Sequence, residues 1–415
     1  MPGGGVVGGD FDGDGRQDMA TVGLASEGAQ SGLNASLPVA FSKGDGSFQV
    51  TQNQALGSAN PGDPLYSPMT EFLHLATDPN RPLGKQSSVK WASGDFDADG
   101  KDDFALLGGH EGATQLGAPT FWSTVPVAFS RGLDPSGFLK TAHTNKAVGS
   151  TMFQKWAADA KVKVVVGNFN GAGGDDIALV GGAGWTSIPV ALSNGNGSFT
   201  VSRITPKPAS GLVCSGETTS CADYLGWAAD PNAKAVAGDF NGDGADDISL
   251  AGGSNWTTVP VAYSTSLAGG GAFTGFTVRN DSNLMFAKYA SDATHPQDEQ
   301  STVKIVAGDY NHDGKDDLAA FGAHHMNDEG ANLEGLPMTL GATNGQLTQT
   351  YKTDTALLMP NVMAFNKTNV LLAGGFNHDQ RDDLVVTGDF NFTAGYFANP
   401  DPGGVDYLYD DDYIA

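Results

Sequence analysis

The chain has 415 residues, with 58 glycines, 22 Lys and Arg against 47 Asp and Glu, and a formal net charge of -25. That length suits one large domain or two or three ordinary ones. The acidic excess disfavours nucleic-acid backbones and anionic membranes as partners, and no run of about 18 apolar residues offers a membrane-spanning helix.

From the N-terminus, Met1 is followed by Pro2-Gly3-Gly4-Gly5 and then directly by repeat sequence, with no leader pattern of basic, apolar and small residues. A secreted protein whose leader has been removed is the favoured expectation, and a leaderless cytoplasmic one the alternative. Internal repetition organises the rest. Lys161 to Ser202 reads KVKVVVGNFNGAGGDDIALVGGAGWTSIPVALSNGNGSFTVS, and Ala233 to Val278 reads AKAVAGDFNGDGADDISLAGGSNWTTVPVAYSTSLAGGGAFTGFTV. Related copies begin near Val6, Val89, Val303 and Val370, with motif starts at Asp10, Asp95, Asn168, Asp239, Asp309 and Gly375.

Each copy predicts four short strands. A β-branched run (Val162 to Val166; Lys304 to Val306) leads into an acidic loop, and a second run (Asp176 to Val180; Asp247 to Ala251) ends in Gly-Gly. A third run contains proline (positions 38, 126, 189, 260 and 337), and a fourth starts at Phe199 or Phe273. Runs of this length suit strands rather than helices. Proline cannot donate to a ladder, so a bulge or an unpaired edge is expected there.

Four adjacent strands per unit make an antiparallel sheet, and radially arranged sheets hide their edges. The expectation is an all-β, six-bladed β-propeller, one domain over residues 1–415, with helix content near zero. Its units centre on loops at 10–18, 95–103, 168–176, 239–247, 309–317 and 375–383. Seven blades is the alternative, since the 85-residue first step could hide a degenerate unit. Val405 to Ala415 is the candidate for a terminal strand that closes the sheet of the other end. The joining segments share an aromatic or apolar pair followed by Leu75, Trp156, Trp227 or Tyr289, read as pegs between blades.

The loops follow D-x-[DN]-x-D-G-x-x-D. The candidate metal ligands are Asp10, Asp12, Asp14 and Asp18; Asp95, Asp97, Asp99 and Asp103; Asp239, Asn241, Asp243 and Asp247; and Asp309, Asn311, Asp313 and Asp317. Hard oxygen ligands at alternate positions of a tight turn suit Ca2+. The seventh residue (Arg16, Lys101, Ala245, Lys315) can contribute only its carbonyl, so its side chain is read as free to vary. Two copies depart from the pattern. The third has Asn168, Asn170 and Ala172, and the sixth has Gly375, Asn377 and Gln380. Loss of ligands with the strands retained implies that the ion supports the blade and performs no chemistry. His312 and His378 fall at the fourth loop position, read as unconstrained surface.

These units resemble the FG-GAP or VCBS class of repeats found in integrin-type propellers and many secreted microbial proteins. The resemblance implies a propeller with calcium in a loop between two strands of each blade, and activity elsewhere. That class includes fungal and bacterial lectins, adhesion proteins and propeller polysaccharide lyases.

Specificity is expected in the variable loops after the second strand. There Trp122, Trp185 and Trp256 recur at one register before Ser/Thr-x-[Val/Ile]-Pro. One reading makes them platforms for a sugar ring; the other wedges them between blades with the indole N–H on a backbone carbonyl. His325, beside His324, Asp328 and Glu329, is a further ligand candidate and the starting point for a lyase base. No complete catalytic constellation is legible, so catalysis is left open. The expected partner is a glycan or glycoconjugate, with a protein-binding adhesion scaffold and a polysaccharide lyase as alternatives. Cys214 and Cys221, with six residues between them, could close a short surface loop as a disulfide.

Overall fold

In the computed structural model the described residues are all but 1–4, 23–36, 52–61, 65–67, 83–84, 86, 113–119, 134–138, 149, 209–223, 267–272, 292–302, 323–335, 348–349, 353–368, 378, 388–393, 399–404 and 407–415. By internal contacts the chain forms two compact units. One comprises Met1–Val166, Ala172–Leu179 and Pro189–Arg203, and the other Gly167–Gly171, Val180–Ile188 and Ile204–Ala415.

The fold is an all-β propeller of antiparallel blades. The first sheet holds β1 (Gly5–Gly9), β2 (Asp18–Val22), β3 (Val39–Ser42) and β4 (Phe48–Thr51) in sequence order. The second holds β5 (Lys90–Gly94) and β6 (Asp103–Leu107), then, after the small hairpin β7 (His110–Glu111) and β8 (Thr120–Phe121), β9 (Thr124–Leu133) and β10 (Leu139–Ala147). The third is β11 (Lys163–Gly167), β12 (Asp176–Val180), β13 (Ile188–Ser193) and β14 (Phe199–Ile204). Next, β15 (Lys207–Pro208) lies parallel to β19 (Phe273–Ser282), the outer strand of a sheet that continues through β18 (Thr258–Ser266), β17 (Asp247–Ala251) and β16 (Lys234–Gly238). β20 (Lys304–Gly308), β21 (Asp317–Phe321), β22 (Pro337–Thr339) and β23 (Thr350–Lys352) follow. The last sheet is β24 (Val370–Gly374), β25 (Asp383–Thr387), β26 (Ala394–Ala398) and β27 (Val405–Asp406).

Three expectations are corrected. Uniform four-stranded blades, six or seven of them, do not describe the sheets: five have four strands, and the sheet of the Asp239 loop has five because β15 is added to its edge. The proposed closing segment does not cross to the first sheet where it is described. Val405–Asp406 pairs with β26 of its own unit, and β1 to β4 complete the first sheet. Helix is present as well, in the joining segments: α1 (Pro68–Ala76), α2 (Thr151–Ala157), α3 (Tyr224–Ala228) and α4 (Leu284–Ser291). These segments must bury aromatics while satisfying their own backbone, and a helical turn does both. The first aromatics of each helix (Phe72, Phe153, Tyr224 and Phe286) are fully enclosed; of the expected pegs Tyr289 is buried, whereas Leu75, Trp156 and Trp227 are half-buried.

The second strand of each unit carries the core. β6, β12, β17 and β21 are buried along their whole length, which explains their continuous apolar sequence. The prolines mark where pairing of the second and third strands stops. That pairing ends at Val39, Val127, Val190, Val261 and Met338, each the residue immediately after a proline. The missing N–H therefore falls just beyond this ladder, but the expected unpaired edge is not found, since Pro126, Pro260 and Pro337 pair with the fourth strand on the other side. Pro38 still contributes its carbonyl, which accepts from the Thr21 N–H at 2.9 Å.

Candidate functional site

The acidic loops sit between the first and second strands. Each begins with a carboxylate that shapes the turn. Asp10 accepts from the N–H groups of Gly13, Asp14 and Gly15 at 2.8, 3.1 and 2.8 Å, and Asp239 accepts from Gly242, Asp243 and Gly244 at 2.7, 3.1 and 2.8 Å. The turn needs a left-handed residue at its fourth and sixth positions. Glycine usually supplies it, but Ala98 (φ 60°), His312 (φ 57°) and Gln380 (φ 75°) adopt it too. His312 is exposed as expected, yet its backbone position is a constrained one.

The ninth-position aspartate is buried rather than looped out. Asp18, Asp103, Asp247 and Asp317 are at most 1% exposed. Asp18 accepts from the Phe11 N–H at 3.1 Å and the Ser42 N–H at 2.9 Å, joining the loop to the third strand. Asp103 does the same with Phe96 and Ser130 at 3.1 and 2.9 Å. Burial, followed by repulsion from the other loop carboxylates, pushes Asp18 and Asp317 up to about 8 and Asp103 and Asp247 up to about 9. Asp10 and Asp12 are raised as well, chiefly by burial and then, for Asp12, by Asp14 and Asp10.

Carboxylates packed this way fit a cation. Oxygen atoms of Asp10, Asp12 and Asp18 lie within 4.8 Å of one another, and so do those of Asp95, Asp97 and Asp103. In the fourth loop Asn241 Oδ1 and Asp247 Oδ2 are buried with no hydrogen-bond donor, as are Asp97 Oδ1 in the second loop and Asp317 Oδ2 in the fifth. A bound ion with hard oxygen preference would satisfy these atoms and lower their mutual repulsion. The fifth-position aspartates behave differently. Asp14 pairs with Arg16, Asp313 with Lys315 at 3.0 Å, and Asp99 with Lys101 at 3.6 Å. The seventh side chain is therefore not idle where it is basic. In the sixth loop the third-position amide also engages the fifth-position aspartate: Asn377 Nδ2 donates to Asp379 Oδ2 at 3.1 Å.

The tryptophan register is resolved by the glycine pair that ends the second strand. Trp122, Trp185 and Trp256 each lie across the second glycine of the pair. A Cβ on Gly109, Gly182 or Gly253 would come within 2.3, 1.8 and 2.0 Å of the respective ring. Trp122 is 3% exposed and its Nε1 donates to the His110 carbonyl at 2.9 Å, so it packs in the core and offers no sugar platform. Trp185 and Trp256 are half-buried, in loops at the opposite end of the second strand from the acidic turns. Two residues before the second of them, Ser254 is held by polar groups. Asp230 Oδ2 accepts from the Ser254 N–H at 3.0 Å, and Asn232 Nδ2 donates to Ser254 Oγ at 2.9 Å. His325, with its acidic neighbours, and Cys214 and Cys221 lie outside the described residues.

No family model matches the chain, and no curated protein matches it. Solved structures do. An Agrocybe aegerita lectin, described as recognising non-reducing terminal N-acetylglucosamine, superposes with a TM-score of 0.53 at 14% identity, covering 99% of this chain and 81% of the lectin. Rhamnogalacturonan lyase YesW matches at a TM-score of 0.29 and 13% identity, over 94% of this chain and 70% of the lyase. At these identities the lectin likeness speaks for the propeller fold, and the lyase likeness is too distant to argue from. No helix among the described residues is long and apolar enough to cross a membrane.

The residues that sequence reasoning missed are the eighth-position aspartates. Asp102, Asp175, Asp246, Asp316 and Asp382 each accept the N–H of the first loop residue of the preceding unit, at 2.7 to 2.9 Å. Each also donates its own N–H to that residue's carbonyl, at 2.8 to 3.2 Å. The carboxylate packs on the glycine before that residue: a Cβ on Gly9, Gly94, Gly167, Gly238 or Gly308 would approach it to between 2.6 and 2.8 Å. The signal was present as an Asp-Asp pair at the loop end and a glycine just before each loop start.

Proposed function

We propose that the protein is a calcium-stabilised, carbohydrate-binding propeller of the FG-GAP/VCBS type. The observation that carries the reading is the matched pair Trp185 and Trp256. Both are half-buried at one register, set on Gly182 and Gly253 so that the ring's orientation is held. A fixed aromatic face gives apolar contact to a pyranose, and polar groups of the same loop, Ser254 with its partner Asn232 in the case of Trp256, orient the sugar. The lectin of the same fold, described as recognising terminal N-acetylglucosamine, supports a glycan as the ligand class and makes that sugar the first to test. Calcium is assigned to the four acidic loops as a structural ion, supported by the orphaned oxygens of Asn241 and Asp247. Two similar loops also offer two weak sites, which gain avidity on a multivalent surface.

A glycan array in calcium, including terminal N-acetylglucosamine, tests this. Binding that is lost in Trp185→Ala and Trp256→Ala, with the fold retained, is the expected result. No binding to any glycan overturns the lectin reading, and appearance of unsaturated uronate products would move the assignment to a lyase.

A further inference from the structure

The four acidic loops are not equivalent: three hold a basic seventh residue against the fifth-position aspartate, and in the second a further cation reaches in from the third strand of the sheet. In the second sheet Arg131, on β9, donates through Nη2 to Asp97 Oδ2 and through Nη1 to Asp99 Oδ2, both at 2.6 Å. Its guanidinium is held over the Phe129 ring, 4.7 Å from the centroid, and Phe129 is itself buried. Among the described residues this is the one place where a single cation bridges the third- and fifth-position carboxylates of a loop.

The register of Arg131 is fixed by its neighbour. Ser130 N donates to the buried Asp103, and Ser130 Oγ to the Asp102 carbonyl at 2.6 Å. Ser264 makes the same two contacts, with Asp247 and the Asp246 carbonyl. The fourth sheet therefore has Thr265 where the second has Arg131, and Ala245 where the second has Lys101. The loops share one feature and differ in another: Asn241 Oδ1 in the fourth and Asp97 Oδ1 in the second both have no donor, but in the second the other Asp97 oxygen and Asp99 Oδ2 are engaged by Arg131.

We propose that Arg131 is a tethered cation that competes with calcium at the second loop, so that this blade binds calcium more weakly than the fourth and releases it first. The inference rests on the calcium reading above. A unit positive charge within a few ångströms of a second cation repels it, and the fork must leave Asp99 before that carboxylate can turn to the ion. Because the guanidinium is about a third exposed, solvent screens much of this effect.

Calorimetric calcium titration of the full chain tests the assignment, paired with melting in chelator and in calcium. The wild type should show one weak step that Asp97→Ala abolishes. Arg131→Thr, which installs the fourth sheet's residue, should tighten that step by about tenfold. It should also lower the melting temperature in chelator, where it leaves the carboxylates uncompensated, and raise it in saturating calcium. Arg131→Lys, which keeps the charge without the fork, should fall between the two. A weak step unmoved by Arg131→Thr, or an equal loss of melting temperature with and without calcium, overturns the proposal in favour of a structural brace. Absence of calcium binding in the wild type, with Asp243→Ala equally silent, overturns the calcium reading itself.

Discussion

Asp102 and Asp10 are 92 residues apart and exchange two hydrogen bonds: Asp102 Oδ2 accepts the Asp10 N–H at 2.8 Å, and the Asp102 N–H donates to the Asp10 carbonyl at 2.9 Å. The side chain that joins one unit to the next thus grips the residue that organises the preceding acidic turn. Four further pairs repeat the arrangement.

Breaking one such pair should destabilise without touching the loop's own ligands. Asp246→Ala leaves the Asn168 N–H without its carboxylate, a loss of about 1–3 kcal/mol for a buried donor. Asp246→Asn retains an acceptor and should lose less. Gly238→Ala should also destabilise, by about 1–3 kcal/mol, because the new Cβ meets Asp316 Oδ2 at 2.6 Å. Urea unfolding of the three variants checks the order.

Metal removal should act blade by blade. Chelation is expected to lower the melting temperature, since an ion bound only to the folded chain at 100 times its Kd stabilises by about 2.7 kcal/mol per site. Asp243→Ala should remove one step from a calcium titration, whereas Asn170→Ala, in a loop already lacking two of the expected carboxylates, should leave the titration unchanged.

The pH response should reverse with calcium. In the chelated protein Asp18 and Asp317 titrate at about 8, and Asp103 and Asp247 at about 9, all far above the unfolded value near 3.8. A raised folded pKa contributes stability that is full below the unfolded value and is lost as pH rises through the folded one. Melting temperature in chelator should therefore fall from pH 5 towards pH 9, because over that range the unfolded carboxylates are ionised while the buried ones must keep their protons. With calcium present the same carboxylates are wanted in the charged form, and the fall should vanish. Parallel melting curves in chelator and calcium would contradict the placement of these groups.

The three tryptophans should separate into two classes. Trp122→Ala removes a buried ring and its hydrogen bond to the His110 carbonyl, and should destabilise by about 3–5 kcal/mol. Trp185→Ala and Trp256→Ala, at half-buried sites, should lose less stability and show their effect in glycan binding instead.

Strand content, the acidic turns and the place of proline at the end of a ladder follow from local sequence, because each depends on a few consecutive residues. Asp239 to Asp247 folds into its turn through hydrogen bonds spanning five residues or fewer, so spacing alone declares it. The aspartate at position eight could not be told from its neighbour at position nine by type or spacing. Only the fold turns Asp102 outward to Asp10 and Asp103 inward to Phe96 and Ser130. The same limit applies to aromatic residues. Trp122, Trp185 and Trp256 share a motif, yet the first is buried and the others only half-buried, since exposure depends on what distant segments cover. Arg131 is the clearest case: 32 residues from Asp99, it is one base among 22 in the sequence, and only strand pairing brings it onto the second loop. Local chemistry written into each repeat determined the turns, while contacts across tens of residues decided which carboxylates latch onto the preceding unit, which are buried against the third strand and which are already paired.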